Sequence, residues 1–506
     1  MRPLDWGVLV AYAALVLLIG WRARRHGDDP LLAGRSIPAW AALCSLIATE
    51  LSAATFIGVP HAAYLGDWSY LQLVIGSALG RLAVASWMIG LYHRLDLVTV
   101  YGLLGRRFGR KSQRCAAWLF LVGRVLASGV RLFIAALAFA TVTGASVELA
   151  IVATGVIATT YTRVGGIRAV IATDVLQGAV FLIAALVTLV ALLGLLDGGA
   201  PALLAAAGAA GKTAIVHLPV LSDISGTSAD AVWGQLGAGL RALLGRADSL
   251  PAALVGGVFL ALAAQGTDQD LVQRLLATRD GRGGARAMAA SGFASIPVVL
   301  LFLLLGTCLW GLHDPSAALT PAGAFPAPVD DKRVLPEFAL LYLPAGLRGL
   351  LFAGLFAAAM SSLDSAINAL ATSWVVDLRE APVARREAVL GRATLVFSAL
   401  LITAALLFVR YEQQTTGLSL VELALSAMSV VYGGLLGGFL TALLTPTRGR
   451  DGSVRAGMLV GAAVGLALFL QPLWTDGPPA IAWPWWIPIG ALVSLSIGAL
   501  PRRAGQ

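Results

Sequence analysis

Ala48-Thr49-Glu50-Leu51-Ser52-Ala53-Ala54-Thr55 lies in the middle of the apolar run 38–64. A bilayer core takes about 20 apolar residues of helix, so this run is long enough to span. Its midplane, however, is crowded with small and polar residues and holds a carboxylate. Ionisable groups at that depth are costly, and they line a pathway or pair with one another. A helix broken here frees backbone carbonyls that can bind a cation. The competing reading is an intact helix whose hydroxyls bond back to their own carbonyls. That accounts for a lone Ser or Thr but not for Glu50. A second run of the same kind, 251–277, is apolar to residue 264 and then reads Gln265-Gly266-Thr267-Asp268-Gln269-Asp270.

Working outward from these two stretches gives thirteen candidate spans: 5–22, 38–64, 68–93, 113–143, 147–163, 169–197, 251–277, 286–313, 346–378, 388–409, 418–445, 454–472 and 480–500. Lipid offers no hydrogen bonds, so spans are helices or a closed barrel. The runs are long and rich in Leu and Ala rather than alternating, which selects helices. The interrupted runs are the second and the seventh. A spacing of five spans is the signature of two five-helix repeats of opposite orientation with a substrate site between them. The expected fold is all-α, a polytopic membrane protein.

Composition agrees. Of 506 residues, 58% are hydrophobic and 12% are charged, where a soluble chain carries roughly a quarter charged. This excludes a soluble enzyme, and the recurrence of apolar runs excludes a single anchor. The +9 formal charge invites a nucleic-acid reading until the basic residues are located. One set of connections holds 25 of the 36 Lys and Arg, among them Arg22, Arg35, Arg94, Arg106, Arg107, Arg168, Arg274, Arg279, Arg386 and Arg448. The other set holds eight, although its segments 198–250 and 314–345 are the longest. The positive-inside rule then places the N-terminus outside and the C-terminus in the cytoplasm, and no nucleic acid is needed. The segment 229–246 is read as an extra outer helix, and Trp483, Trp485 and Trp486 as an interfacial belt. Cys44, Cys115 and Cys308 are too scattered for a disulfide framework or a metal site. The first run is long enough to remain a helix rather than act as a cleaved signal.

The remaining polar residues within spans cluster. The ninth span reads Ala357-Ala358-Ala359-Met360-Ser361-Ser362-Leu363-Asp364-Ser365-Ala366-Ile367-Asn368. Helical spacing puts Ala358, Ser361, Ser362, Ser365 and Asn368 on one stripe with Asp364 beside it. Hydroxyl and carboxylate oxygens suit a hard cation such as sodium. A close-packed helix seam would explain the alanines but not Asp364. Asp174 lies about 8 Å inside the cytoplasmic end of the sixth span, either holding a cation there or reaching back to water. Arg124 and Arg131 share a face of the fourth span. A guanidinium in a dry site suits a carboxylate held bidentately, whether on a solute or on a buried acid such as Glu50. Arg81, in the third span, is read as structural. Gly433, Gly434, Gly437 and Gly438 form two small-xxx-small pairs, read as packing.

Together these segments resemble the sodium/solute symporter family, which contains the sodium–glucose, sodium–proline and sodium–sialic acid symporters. The resemblance runs from about residue 5 to 450. It is carried by Gly165-Gly166…Ala169-Val170…Thr173-Asp174…Gln177, by Met360-Ser361-Ser362-Leu363-Asp364-Ser365…Asn368, by Gly266-Thr267-Asp268-Gln269…Val272-Gln273-Arg274, and by Ala48…Leu51-Ser52-Ala53…Thr55-Phe56…Gly58. Ala172 departs from it, since many members have tryptophan there. The resemblance implies a leucine-transporter-like core of ten helices, here in repeats 38–197 and 251–445 of a single domain 1–506, with 1–37 and 446–506 peripheral. It also implies a sodium site formed by the carbonyls of Ala48, Leu51 and Ala358 and the hydroxyls of Ser361 and Ser362. A second sodium site would use Asp174 with Ser361, Asp364 and Ser365. The second-span stretch looks closest to the sialic acid and carboxylate branches. By that likeness Arg131, Ser52 and Thr55 would meet a substrate carboxylate, with Thr49, Glu50 and Gln72 completing the substrate set. Three roles stay open to Glu50: pairing with Arg131, meeting a substrate hydroxyl or amine, or taking a proton.

The expected function is therefore sodium-coupled symport of a small organic solute, an organic anion such as a sialic acid or another carboxylate, by alternating access. Sodium is the coupling ion, lipid the surroundings, and a monomer in the plasma (inner) membrane the transport unit. The rivals are a proton-coupled symporter of a sugar or amino acid, using Glu50 or Asp174, and a channel or receptor on a transporter core. No nucleotide loop or catalytic constellation points to an enzyme.

Overall fold

The computed structural model describes residues 1–23, 31–162, 166–218, 239, 243–321, 325–328, 330–414, 420–471 and 480–501. Arg24, Arg25, Arg163, Gly165, Arg502, Arg503 and most of the segment 229–246 lie outside the described residues.

Helix occupies every one of the thirteen expected spans. Ten helices are long and apolar enough to cross a membrane, and the bent pair Ala39–Glu50 with Ala54–Leu65 makes eleven. The fifth and thirteenth spans fall below that length because their helices, Val147–Thr162 and Trp486–Gly498, have 16 and 13 residues. The thirteenth is led in by the short turn Trp483–Trp485. Among the described residues there is no β-strand, only a single bridge between Ile37 and Thr278. It joins the start of the second span to the end of the seventh.

Both interruptions are present. The second span bends by 59° between its halves. The seventh is helical over Leu250–Thr267, leaves helix at Asp268 (φ −90°, ψ 121°), and resumes over Gln269–Leu276. Asp268 caps the resumed helix by accepting the Asp270 amide at 2.8 Å, as a carboxylate at an N-cap does.

Burial separates core from periphery. In the ninth span, 89% of the membrane-length window is buried; in the first it is 11%. The first span lies against the sixth and ninth, and displays Leu4, Trp6, Val10, Leu17 and Trp21 outward. In water such a face would be a liability; in a bilayer it is the solvated face. The eleventh, twelfth and thirteenth spans pack on one another. The seam follows the glycine pairs, with Gly433 against Gly490 and Gly434 against Met458 and Ala462. The tryptophan belt is only partly as expected, because Trp486 is buried, edge-on to Phe469.

The third and seventh spans, one from each expected repeat, approach closely along a glycine seam that includes Gly76. A Cβ there would stand 2.6 Å from the Leu254 carbonyl oxygen and 3.0 Å from its Cα. Backbone cannot yield as a flexible side chain does. Gly76→Ala is therefore expected to cost about 1–3 kcal/mol, read as a lower melting temperature in detergent.

Candidate functional site

The site begins where the second span stops being a helix. Leu51 takes ψ 84°, and its amide still reaches the Ile47 carbonyl at 2.9 Å. The Ser52 amide then turns to Glu50 at 3.0 Å instead of bonding Ala48. The chain recovers as the wide turn Ala54–Gly58 and the helix Val59–Leu65. Carbonyls at the break are left for other partners. Ser361 Oγ donates to the Ala48 oxygen at 2.9 Å, and Ser362 Oγ to the Thr49 oxygen at 3.0 Å. Both hydroxyls also lie within 3.2 Å of the Ala358 oxygen. Four of the five residues expected at the first sodium site thus converge, and the Thr49 carbonyl joins them. Leu51 lies at the break itself, and no serine among the described residues bonds its carbonyl. The donor set is carbonyl and hydroxyl oxygen throughout, the chemistry a hard cation takes.

The residues expected at a second ion site are only partly together. Asp174 Oδ2 accepts from Ser45 at 2.5 Å and from Thr49 at 3.3 Å. The Thr49 hydroxyl lies 3.2 Å from Ser365 Oγ, so Thr49 links Asp174 to Ser365. Ser361 bonds Ala48 instead, and Asp364 Oδ1 accepts the Ser365 amide at 2.6 Å. The unexpected member is Arg274. Counted with the cytoplasmic connections, it is in fact fully buried. It donates to the Ser45 carbonyl at 2.8 Å and to the Thr49 hydroxyl, with Asp174 at 3.6 Å and Asp270 at 3.3 Å. The resumed helix of the seventh span carries it inward, which counting residues from the span's end does not reveal. Tyr12 of the first span also reaches this region, accepting from Gln177 Nε2 at 3.4 Å.

Above the break lies a central cavity, open at its mouth, of about 890 Å³ counting the open space in front of it. Glu50, Ser52, Thr55 and Arg131 line it, as expected. Two expected substrate residues do not. Thr49 faces the Asp174 cluster, one helical position round from Glu50. Gln72 is buried and holds the chain just before the seventh span, donating to Asp248 O at 3.0 Å and Ser69 O at 3.3 Å. Leucine, valine and methionine side chains make the walls.

The three arginines within spans have different fates. Arg124 is fully buried and pairs with both acids of the seventh-span break, Asp268 at 3.2 Å and Asp270. Tyr432 also donates to Asp268. Arg81 lines the cavity and pairs with Glu50. Its guanidinium is held from behind by the Ser291 carbonyl at 3.0 Å and by Ser77 Oγ at 3.4 Å. Glu50 therefore belongs to Arg81, not to Arg131. Arg131 is 9% exposed. Its Nη2 meets only the Met428 sulfur at 3.7 Å, and its Nη1 has no hydrogen-bond partner among the described residues.

Gln265 was overlooked as a cavity residue. It lines the wall and donates to Glu50 at 2.9 Å. Its place at the head of the polar stretch in the seventh span was a usable signal.

Residues 31–461 match the sodium:solute symporter family. The chain is 28% identical to the sodium/sialic acid symporter NanT of Aliivibrio fischeri over 79% of this chain and 75% of that one. It is 26% identical to the sodium/sialic acid symporter SiaT of Proteus mirabilis, over 74% and 71%. Its fold is that of a solved sodium-coupled sialic acid symporter in a substrate-bound, outward-open state, with TM-score 0.80, 23% identity, and coverage of 98% of this chain and 97% of that one. With a family match across all but its ends and a broken-helix core in place, the chain belongs to the sodium:solute symporter family.

Proposed function

We propose that this symporter imports a small organic anion together with sodium, by alternating access about the central cavity. One observation carries the reading: Arg131 is a buried cation lining the cavity with no carboxylate partner among the described residues, while Arg81 and Arg124 are both paired with acids. A desolvated guanidinium without a counter-ion is costly, and a substrate carboxylate supplies the counter-ion in a bidentate fork. The sialic acid relatives make a sialic acid the first solute to try. Glu50 and Asp174 both lie beside an arginine, which favours sodium over a proton as the coupling ion.

In the working cycle, sodium binds among the oxygens of Ala48, Leu51, Ala358, Ser361 and Ser362. The serine hydroxyls turn their protons away and offer lone pairs. Sodium then ties the broken second span to the ninth and fixes Ser52 and Thr55 at the cavity floor. The solute carboxylate docks on Arg131, the repeats 38–197 and 251–445 rock against each other, and both ligands leave on the cytoplasmic side. A second sodium would use Asp174, Asp364 and Ser365. The unit is a lipid-embedded monomer of the plasma membrane, with its N-terminus outside.

The test is uptake of N-acetylneuraminate and simpler organic acids into proteoliposomes under an imposed inward sodium gradient. Ser361→Ala combined with Ser362→Ala removes two of five sodium ligands and is expected to lower sodium-driven uptake at least tenfold. Uptake that ignores the sodium gradient, or that survives the double substitution unchanged, retires the ion assignment.

A further inference from the structure

The fourth span begins in a repeating register. Arg110, Arg114, Trp118 and Val122 follow at intervals of four residues and so share a helix face. All four are exposed, Trp118 at 52% and Val122 at 51%. Arg114 stands about 6 Å and Arg110 about 12 Å beyond Trp118 along the axis, at 1.5 Å rise per residue. A tryptophan on the outside of a span marks the boundary between acyl chains and headgroups, which puts both guanidinium groups at headgroup depth. The connection between the ninth and tenth spans arrives at the same place. Its Glu380 pairs with Arg110 and, at 3.1 Å, with Arg114. Beside it, Arg379 holds its guanidinium 5.8 Å from the centre of the Trp374 ring, and Arg386 Nε donates to the Ala381 carbonyl at 3.2 Å. Neither Arg379 nor Arg386 pairs with an acid among the described residues. Trp374 in turn meets Trp118 edge-on at 5.9 Å and Phe397 of the tenth span at 6.2 Å.

Three spans therefore meet over a chain of rings, Trp118, Trp374 and Phe397, with four arginines set around one shared carboxylate at its outer end. We infer that this place binds an anionic phospholipid with two phosphates: its acyl chains lie along Trp118 and Val122, and its phosphates bridge Arg110 and Arg114 to Arg379 and Arg386. Basic pockets between spans are a recurrent form of lipid-headgroup recognition. Charge selects the headgroup. Four guanidinium groups against the Glu380 carboxylate leave a surplus of three positive charges, more than a single phosphodiester cancels. A zwitterionic headgroup brings its own ammonium group and cancels none of it. Free phosphate or an acidic protein segment would answer the arginines but has no use for Trp118 and Val122, which lie on the acyl side of them. The fourth span belongs to one expected repeat and the ninth and tenth to the other, so the lipid bridges the two. It does so where Asp377 of the ninth span already accepts from Thr99 at 2.6 Å and from Gln113 at 2.8 Å.

The test is a thermal-shift series on the purified, delipidated full chain in neutral detergent, with cardiolipin, phosphatidylglycerol, phosphatidylcholine and inorganic phosphate as probes. Binding raises stability by RT ln(1 + [L]/Kd), so the shifts rank affinities. Cardiolipin is expected to bind about tenfold more tightly than phosphatidylglycerol, with no shift from phosphatidylcholine or inorganic phosphate. Arg110→Gln combined with Arg114→Gln and Arg379→Gln is expected to weaken cardiolipin about 100-fold. Its lipid-free melting temperature stays near that of the parent, because the ion pairs lost are exposed. Arg379→Gln alone breaks no ion pair among the described residues and is expected to weaken cardiolipin about fivefold. Arg279→Gln with Arg282→Gln and Arg286→Gln removes the same charge from exposed positions at the start of the eighth span and is expected to keep the parent's shift. A cardiolipin shift that survives the first triple substitution, or falls equally in the second, overturns the site. Phosphatidylglycerol matching cardiolipin overturns the two-phosphate headgroup, and inorganic phosphate matching it overturns the lipid.

Discussion

Arg131→Ala loses sodium-driven solute uptake by about 100-fold or more while sodium binding, followed as a sodium-induced thermal shift, stays near that of the parent. The size follows from removing one partner of a desolvated ion pair, a loss of several kcal/mol of binding. The selectivity follows from geometry. Among the described residues Arg131 bonds only the Met428 sulfur, so its removal strands no described buried acid and the fold is expected to be kept. It also lies outside the Ala48–Ser361 oxygen cluster that would hold the ion. Arg131→Lys restores charge but not the planar fork, so it recovers uptake only in part. Uptake by Arg131→Ala within threefold of the parent would remove the carboxylate assignment and, with it, the organic-anion reading.

Arg124→Leu behaves in the opposite way: it fails at folding, before transport is reached. Arg124 is fully buried between Asp268 and Asp270. Taking out one member of a buried ion cluster leaves its partners charged and uncompensated, at about 3–5 kcal/mol. The variant is expected to express poorly and to precipitate on detergent extraction. Asp270 keeps a cation, since Arg274 lies 3.3 Å from it, so the acid left without one is Asp268. Adding Asp268→Asn to Arg124→Leu is therefore expected to recover most of the lost yield and melting temperature, measured by fluorescence-detected size exclusion. If Arg124→Leu alone folds normally, the cluster is not holding the seventh-span break to the fourth span.

Much of this architecture was legible because a bilayer enforces simple rules. Apolar runs of spanning length can only be helices, and polar groups inside them need a reason. Glu50 and the Asp268 region therefore announced both breaks. Ser361 and Ser362, adjacent on the ninth span, suggested a cation site, and their hydroxyls meet the Ala48 and Thr49 carbonyls at the break. What the sequence hid is who pairs with whom. Arg131 and Arg124 look alike on one helix face, yet the seventh span brings two carboxylates to Arg124 and none to Arg131. Arg81 read as a structural residue, and it is anchored as one, but it also decides what Glu50 can do. Arg274 read as a loop charge because it follows the apolar run. The buried surface of its short helix is polar, supplied with Asp174 by another span, and no pattern along one helix reveals that. Removing Arg274 from the tally of that set of connections leaves 25 − 1 = 24 basic residues, a small change to the expected charge asymmetry. Thr49 and Gln72, expected in the substrate set, do not line the cavity: one helical step turns Thr49 to the Asp174 cluster, and Gln72 is held by the Ser69 and Asp248 carbonyls.

The lone guanidinium of Arg131 also gives the transport cycle an electrical signature. If the proposed anion carries a single charge, it and one sodium together carry no net charge across the membrane. A second sodium turns each cycle into the inward movement of one positive charge, adding about 2.3 kcal/mol of driving force per 100 mV. Current through reconstituted protein then counts ions. Silence means that the Asp174–Arg274 pair already supplies its own cation, and a steady inward current means that sodium joins Asp174 and Ser365 there.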